Sequence, residues 1–395
     1  MIEEKLKEVY GIDKYGKNVP EWTEKVKYEF VDEVMQDKLR EAKIWINELY
    51  KVFEELQERL KIKGTLFSRE MKSFLEDPRR HLVKKLFIYY HDLIRGKLSV
   101  EEFIVKGRQA IMSSFNSNMR SIYQSWGLAS IVLLLSEKGN YELIYPEHGY
   151  LDFDRSGKQK SGIIPPNVVV GNVVSSFSFF LEAPRPITWE DGGDLEKVWK
   201  FYSLVRPDML IYEGTEINIV DTQGDIPIKR PDYIVEYKEL LNWWKRWRYL
   251  KTYKPLSGNE WRARWLKGLY EGFAEILGVE AKDLPSFSEG ESKRIKEYKV
   301  IELYDAIYKP RRGGIVISRV PVDNKVREDI INDNVLLIDD VGFDQEKLET
   351  LVERLTSGVK NAYDIKELAY RFAMSRKDEF LKWMKSQGLG YDSYQ

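Results

Sequence analysis

Two short segments near the middle of the chain carry side chains that could together hydrolyse a phosphodiester. Asp208 ends an Arg-Pro-Asp triplet, and Glu236 and Lys238 flank a tyrosine in a Glu-Tyr-Lys triplet about thirty residues later. In a strand, side chains two residues apart face the same side, so Glu236 and Lys238 would point into one cleft. Two carboxylates can hold Mg²⁺, and a lysine can orient or help to deprotonate the attacking water. These residues therefore predict metal-assisted hydrolysis.

The composition restricts which other chemistry the chain can perform. The 395 residues include no Cys and only three His, which excludes thiolate catalysis and Cys-based zinc sites and disfavours a His-rich metal site. The 63 Lys and Arg residues almost balance the 64 Asp and Glu residues, so only local clustering could indicate a nucleic-acid partner. Catalysis must then depend on carboxylates, lysines and hydroxyls.

The chain has no apolar run as long as a membrane span or a signal peptide. We therefore expect a cytoplasmic protein with no membrane partner. A charged fraction of 32%, with many Lys, Glu and Arg residues, fits a heat-adapted source, archaeal or viral.

Hydrophobic periodicity divides the chain into three regions, namely a helical N-terminal region (1–111), an α/β core (112–345) and a helical C-terminal segment (346–395). The run from Arg120 to Leu135 is apolar nearly all round, which predicts a buried helix at the start of the core. Residues 195–205 and 293–308 read as helices. The segment 314–339 alternates strand, helix and strand, as parallel βαβ units do. The remaining predicted strands are 141–145, 168–174, 177–181, 209–212, 217–221 and 233–239.

Together the motifs and the element order resemble the PD-(D/E)XK nuclease superfamily. Its restriction-endonuclease-like core is a mixed sheet flanked by helices, in the order helix, three strands, helix, strand, and the resemblance covers roughly residues 118–340. It implies that Asp208 and Glu236 bind Mg²⁺ or Mn²⁺ and that Lys238 is the catalytic lysine of a DNA endonuclease. Gln124 resembles the position on the first helix that often completes the site, and Glu182 is a rival for that role. Since many such nucleases work as dimers, the resemblance also suggests a homodimer.

Two alternatives concern which acidic residue would bind the metal together with Asp208. Asp221 ends a predicted strand only thirteen residues after Asp208 and could be the second metal ligand, in addition to Glu236 or instead of it. The segment from Tyr233 to Leu250 also fits a helical period after Pro231, in which case Glu236 and Lys238 would not share a face. We prefer the strand, because Tyr-Ile-Val is β-rich.

A basic and Trp-rich insertion, at about residues 240–290, follows the predicted lysine. Basic side chains bind phosphates and flat rings stack on bases, so the segment is typical of binding to single-stranded or distorted nucleic acid. Any single Trp is better interpreted as core, with basic residues on the solvated face. The residues predicted to bind nucleic acid are Lys245, Arg246, Arg248, Lys251, Arg262, Arg264, Trp244 and Trp247.

Two other functional classes remain open. A nuclease-like protein that has lost activity could bind nucleic acid as a structural or recruiting subunit. Alternatively, the motifs are salt-bridged strand ends in a helical scaffold protein, since Glu-X-Lys triplets are common in a highly charged chain.

Overall fold

The computed structural model of the chain describes residues 2–13, 20–153, 163–183, 206–221, 228–251, 292–331 and 334–357. The predicted helix at 195–205 lies outside these residues, as do Arg262, Arg264 and the C-terminal segment beyond residue 357. Lys251 belongs to a described strand, but its side chain is outside the description.

Helices form the N-terminal region, and two of them are long. Helix α2 spans Trp22–Leu60, and helix α6 spans Val100–Gly139 with the capping box of Ser99 and Glu102 at its start. The other helices are α1 (Ile2–Val9), α3 (Arg69–Glu76), α4 (Pro78–Lys85) and α5 (Phe87–Ile94). Helix α6 runs through the division predicted between residues 111 and 112, so the N-terminal helices and the sheet share one element.

The second half of α6 is buried on all sides. Every residue from Ser121 to Ser136 is buried, as the apolar run predicts, although the helix begins earlier than expected, at Val100. Its apolar side chains belong to the same cluster as α2 and one face of the sheet. This burial fixes α6 beneath the sheet, and any polar side chain in this half of the helix must find a partner inside the protein.

A seven-stranded mixed sheet forms the core, in the order β11-β10-β7-β6-β5-β4-β2. From β2 to β7 each strand is antiparallel to the next one in this order, whereas β10 is parallel to both β7 and β11. The strands are β2 (Glu142–Tyr145), β4 (Val168–Gly171), β5 (Ser176–Leu181), β6 (Met209–Glu213), β7 (Tyr233–Lys238), β10 (Gly314–Ser318) and β11 (Val335–Ile338). The short strands β1 (Gly64–Leu66) and β3 (Tyr150–Asp152) pair separately.

Side chains alternate between the two faces of the sheet, and each face has its own apolar cluster. Met209, Val235 and Tyr237 pack towards α6, whereas Leu210 and Ile234 pack towards helix α7 (Val300–Tyr308). Helix α8 (Asn324–Ile330) connects β10 to β11, and helix α9 (Glu349–Ser357) follows the sheet. The fold is thus an α/β sheet with helices on both faces and a helical N-terminal region.

Two predicted elements are wrong. The segment 217–221 is not a strand, and within the described residues it makes a single bridge, between Val220 and Ile228. Strand β6 already pairs with β5 and β7 on its two sides, so the sheet has no place for a strand between them. The predicted helix at 293–308 is partly a strand, because β9 (Ser292–Lys296) pairs with β8 (Trp247–Lys251), and the helix begins only at Val300.

None of the helices in the described part of the chain is long and apolar enough to cross a membrane.

Candidate active site

Asp208 and Glu236 meet at the end of two adjacent antiparallel strands. The register of β6 and β7 pairs Met209 with Val235, and one step further places Asp208 opposite Glu236. The backbone N–H of Asp208 donates to Glu236 Oε2 at 3.3 Å, and the N–H of Tyr237 donates to Asp208 Oδ2 at 2.8 Å. Each carboxylate thus binds the other strand, which holds the two acids side by side.

Gln124 joins the site from the opposite direction. It lies on the buried half of α6, and its Nε2 donates to Asp208 Oδ1 at 2.7 Å. Asp208 is therefore held at both oxygens, by a side-chain amide and by a backbone amide. Only the family resemblance predicts Gln124 at this position, because 84 residues separate it from Asp208 along the chain.

Lys238 lies between two carboxylates. Its Nζ is 2.9 Å from Glu236 Oε1 and 2.6 Å from Glu297 Oε1, and its side chain is buried. Burial alone would lower the pKa of Lys238, but the carboxylates of Glu236 and Glu297 outweigh it and raise the pKa above its ordinary value. Lys238 is therefore a cation at neutral pH, suited to offset negative charge.

Arg248 extends this network towards solvent. Its Nη1 lies 3.7 Å from Glu236 Oε1 and 3.9 Å from Glu297 Oε1, and its guanidinium lies 5.7 Å from the centre of the Tyr304 ring. Burial by itself would raise the pKa of Glu297, but Lys238 and Arg248 lower it below its ordinary value. Two acids and two bases thus form one connected cluster.

Glu182 is held by arginines beside the same site. It follows β5 with a positive φ of 45°, and its N–H donates to the carbonyl of Asp208 at 2.7 Å. Its carboxylate pairs with Arg206 at 2.6 Å and with Arg120 at 3.8 Å. A non-glycine residue in this conformation is uncommon and is concentrated at functional sites, so the geometry of Glu182 draws attention to this end of β5.

With the exception of Gln124 and Tyr304, these residues line one cavity of about 430 Å³. The cavity is lined by Arg120, Glu182, Arg206, Asp208, Glu236, Tyr237, Lys238, Glu239, Leu240, Trp243, Arg246, Trp247, Arg248 and Glu297. Five of the side chains are basic and five are acidic, so the cavity holds a dense and nearly balanced set of charges. Such a volume is typical of sites for small ligands and cofactors.

The pKa of Asp208 is raised to about 8. Burial is the main cause, and the negative charge of Glu236 adds to it, while Arg120 and Lys238 oppose it. Burial likewise raises the pKa of Glu239. Buried carboxylates with raised pKa values are typical of functional sites, where a bound cation would favour the ionised form.

Asp208 and Glu236 provide a donor set that suits Mg²⁺ or Mn²⁺. Mg²⁺ is commonly bound through one or two carboxylates and keeps several waters, so a pair of facing acids is sufficient. Within the described ranges, no three His, Asp or Glu side chains are grouped as metal ligands. The suitability of the site for a divalent metal therefore depends on these two carboxylates and on the raised pKa of Asp208.

Glu297→Gln is expected to lower the free energy of unfolding by about 1–2 kcal/mol, because it removes one charged partner of buried Lys238 while Glu236 remains. Glu29→Gln is the matched control. The Lys5–Glu29 pair has the same 2.6 Å separation as Lys238–Glu297, but both of its side chains are more than 40% exposed. It should change stability by less than about 1 kcal/mol. Urea unfolding of both variants measures the difference, and equal effects would contradict the importance of the buried pair.

The structure brings four predicted residues together, namely Asp208, Glu236, Lys238 and Gln124, and β7 is the preferred strand. Asp221 does not line the cavity. In the basic segment, Arg246, Trp247 and Arg248 line the cavity, whereas Trp244 packs against the apolar cluster beside α7 and Lys245 is exposed outside the cavity.

Four charged cavity residues received no predicted role, namely Arg120, Arg206, Glu239 and Glu297. Arg206 belongs to the Arg-Pro-Asp motif itself, and Arg120 lies four residues before Gln124, one turn away on the same helix. Their positions next to predicted site residues could therefore have identified both arginines from the sequence. Glu297 lies within the segment predicted as a helix, and the pairing of β9 with β8 just before it brings it to Lys238.

A comparison with protein-family models, curated proteins and solved structures finds no match to this chain.

Proposed function

We propose that the chain is a metal-dependent nuclease that hydrolyses phosphodiester bonds in DNA. The observation that carries the proposal is the meeting of Asp208, Glu236 and Lys238 in one cavity. Two acids face each other across β6 and β7, and a buried lysine lies beside one of them. Hydrolysis of a phosphodiester needs this combination of metal-binding oxygens and a cation close to the reacting phosphate.

The element order supports a restriction-endonuclease-like core. Helix α6 precedes the antiparallel strands β5, β6 and β7, and helix α7 then leads to β10, which is parallel to β7. With β2, β3 and β4 as additional strands before β5, and β8 and β9 as additional strands before α7, this order resembles the helix, three strands, helix and strand of the PD-(D/E)XK superfamily. Asp208 precedes the second strand of the three, and Glu236 and Lys238 lie on the third.

The residues of the chain have distinct roles in this proposal. Asp208 and Glu236 would hold Mg²⁺ or Mn²⁺, and Gln124 fixes the orientation of Asp208 through its hydrogen bond. A divalent metal held there would supply Lewis-acid activation of the phosphate and of the attacking water. Lys238 is charged at neutral pH, so it would orient this water and offset the developing charge rather than act as a base.

A second candidate is a nucleic-acid-binding protein of the same fold without activity. The closed network favours it, because Lys238 is paired with both Glu236 and Glu297 and both oxygens of Asp208 accept hydrogen bonds. An active enzyme must rearrange at least part of this network when metal and substrate bind.

The test is incubation of the purified protein with plasmid, linear and single-stranded DNA in Mg²⁺, Mn²⁺ or EDTA. We expect metal-dependent cutting that Glu236→Gln and Lys238→Met both abolish, since each removes a charge at the reacting phosphate. Asp221→Ala is the control and should cut normally, because Asp221 does not line the cavity. A thermal shift on adding Mn²⁺ reports metal binding independently of cutting. DNA binding without cutting would select the inactive candidate.

A further inference from the structure

Among the residues that the structure describes, one large aromatic side chain at the mouth of the cavity is open to solvent. Trp247, the first residue of β8, is 45% exposed and lines the cavity together with Arg246. Trp243 also lines the cavity, but it is 2% exposed, and its Nε1 donates to Ser318 Oγ at 2.9 Å. Of these two rings, only Trp247 presents a large surface to a ligand.

The pairing of β8 with β9 separates the roles of Trp247 and Arg248. Arg248 pairs in register with buried Ile295 and reaches inwards to Glu236 and Glu297. Trp247 pairs with Lys296 on the opposite face, and Lys296 Nζ lies 4.1 Å from the centre of the ring. The hairpin thus directs one cation into the cavity and places an aromatic ring with a second cation at its mouth.

A flat ring beside cations is the arrangement that binds unpaired bases. Base stacking on an aromatic side chain strengthens binding about 5- to 150-fold per base and tolerates any sequence, while basic side chains bind the backbone. Bases inside a duplex are stacked on each other and cannot reach such a ring without being unpaired.

We propose that Trp247 stacks on an unpaired base next to the reacting phosphate, and that the substrate enters the site as single-stranded DNA. Arg246 and Lys296 would bind the phosphates on either side of the stacked base. The placement beside a reacting phosphate rests on the proposed nuclease function. The recognition of a single strand depends only on the ring and the two cations.

The test measures binding without cutting, by fluorescence anisotropy of a labelled oligothymidylate of about 15 nucleotides and of the matching duplex, in EDTA. Trp247→Ala is expected to weaken binding of the single strand at least about 5-fold and to change duplex binding less. Trp247→Phe should keep most of the affinity, because it retains a ring. Lys296→Gln, which leaves the ring in place, should weaken binding and reduce its dependence on salt.

Trp22→Ala is the matched control, because Trp22 is 43% exposed but lies at the start of α2 and does not line the cavity. It should bind both probes like the wild type. The inference is overturned if Trp247→Ala binds the single strand normally, if it weakens both probes equally, or if the wild type binds no single strand. Cutting assays separate the two proposals. Binding that depends on Trp247 without any cutting refutes the nuclease, whereas cutting without such binding refutes only the stacking role.

Discussion

Replacing Asp208 with Asn is expected to reduce DNA cutting at least about 100-fold while the protein stays folded. The substitution keeps the shape of the side chain, and the Asn carbonyl can still accept the hydrogen bond from the Tyr237 N–H. Gln124 can turn its amide so that its oxygen accepts from the new Asn amide. What is lost is the negative charge that would hold the metal. Cutting rates and the thermal shift on adding Mn²⁺ should therefore fall together.

The same substitution should change how stability depends on pH. The pKa of Asp208 is about 8 in the folded protein, against about 3.9 for an unfolded chain, so the folded state binds more protons between these values. Stability that is fully present below about pH 4 is then lost as the pH rises through about 8. Asp208→Asn has no proton to lose, so at pH 8 it should be more stable than the wild type, by on the order of a few kcal/mol.

Chemical unfolding at about pH 5 and about pH 8 measures this effect. The control is Asp37→Asn, because the side chain of Asp37 is 91% exposed and should follow the wild type at both pH values. If Asp208→Asn loses as much stability as the wild type between about pH 5 and about pH 8, then Asp208 is ionised in the folded protein over this range. A variant that cuts DNA normally would remove Asp208 from the proposed site.

The sequence predicts the local part of the site well, because its key residues lie on strands with a clear period. Glu236 and Lys238 are two residues apart on β7, so their shared face follows from strand geometry alone. The buried half of α6 is also predictable, since apolar residues surround the whole helix. At these positions the secondary structure that the local sequence pattern favours is also the one that the tertiary structure buries.

The parts that could not be predicted depend on contacts between distant segments. Glu297 pairs with Lys238 across 59 residues, and this contact exists only because β9 pairs with β8. Residues 293–296 fit a helical period in sequence, but pairing with another strand satisfies their backbone groups equally well. In the same way, residues 217–221 are rich in β-forming side chains but find both sides of β6 occupied.

Gly127→Ala is expected to lower the free energy of unfolding by about 2 kcal/mol or more. A Cβ atom at Gly127 would lie 2.3 Å from Tyr237 Cε1 and 2.9 Å from Cζ, far closer than carbon atoms can approach. Alanine favours a helix over glycine by about 1 kcal/mol, which is too little to offset this overlap. Because Tyr237 is 1% exposed and also packs against the ring of Tyr123, its own ring has little room to move.

A displacement of Tyr237 should also disturb the proposed site, because Tyr237 lies between Glu236 and Lys238 on β7 and its N–H donates to Asp208. We therefore expect cutting to fall together with stability. Gly107→Ala on the same helix is the control. Its nearest contact would be 3.2 Å, to the Leu86 Cδ2 methyl, so stability should change by less than about 1 kcal/mol.

A double-mutant cycle with Tyr237→Leu tests the cause of the Gly127→Ala effect, measured by urea unfolding. Leucine has no ring to meet the new Cβ atom, so Gly127→Ala should be much less harmful in the Tyr237→Leu background, with a coupling energy of about 1 kcal/mol or more. Additive effects would mean that Gly127 does not set the distance between α6 and β7. Coupling would show that the close approach at Gly127 allows α6 to lie near enough to β7 for Gln124 to reach Asp208.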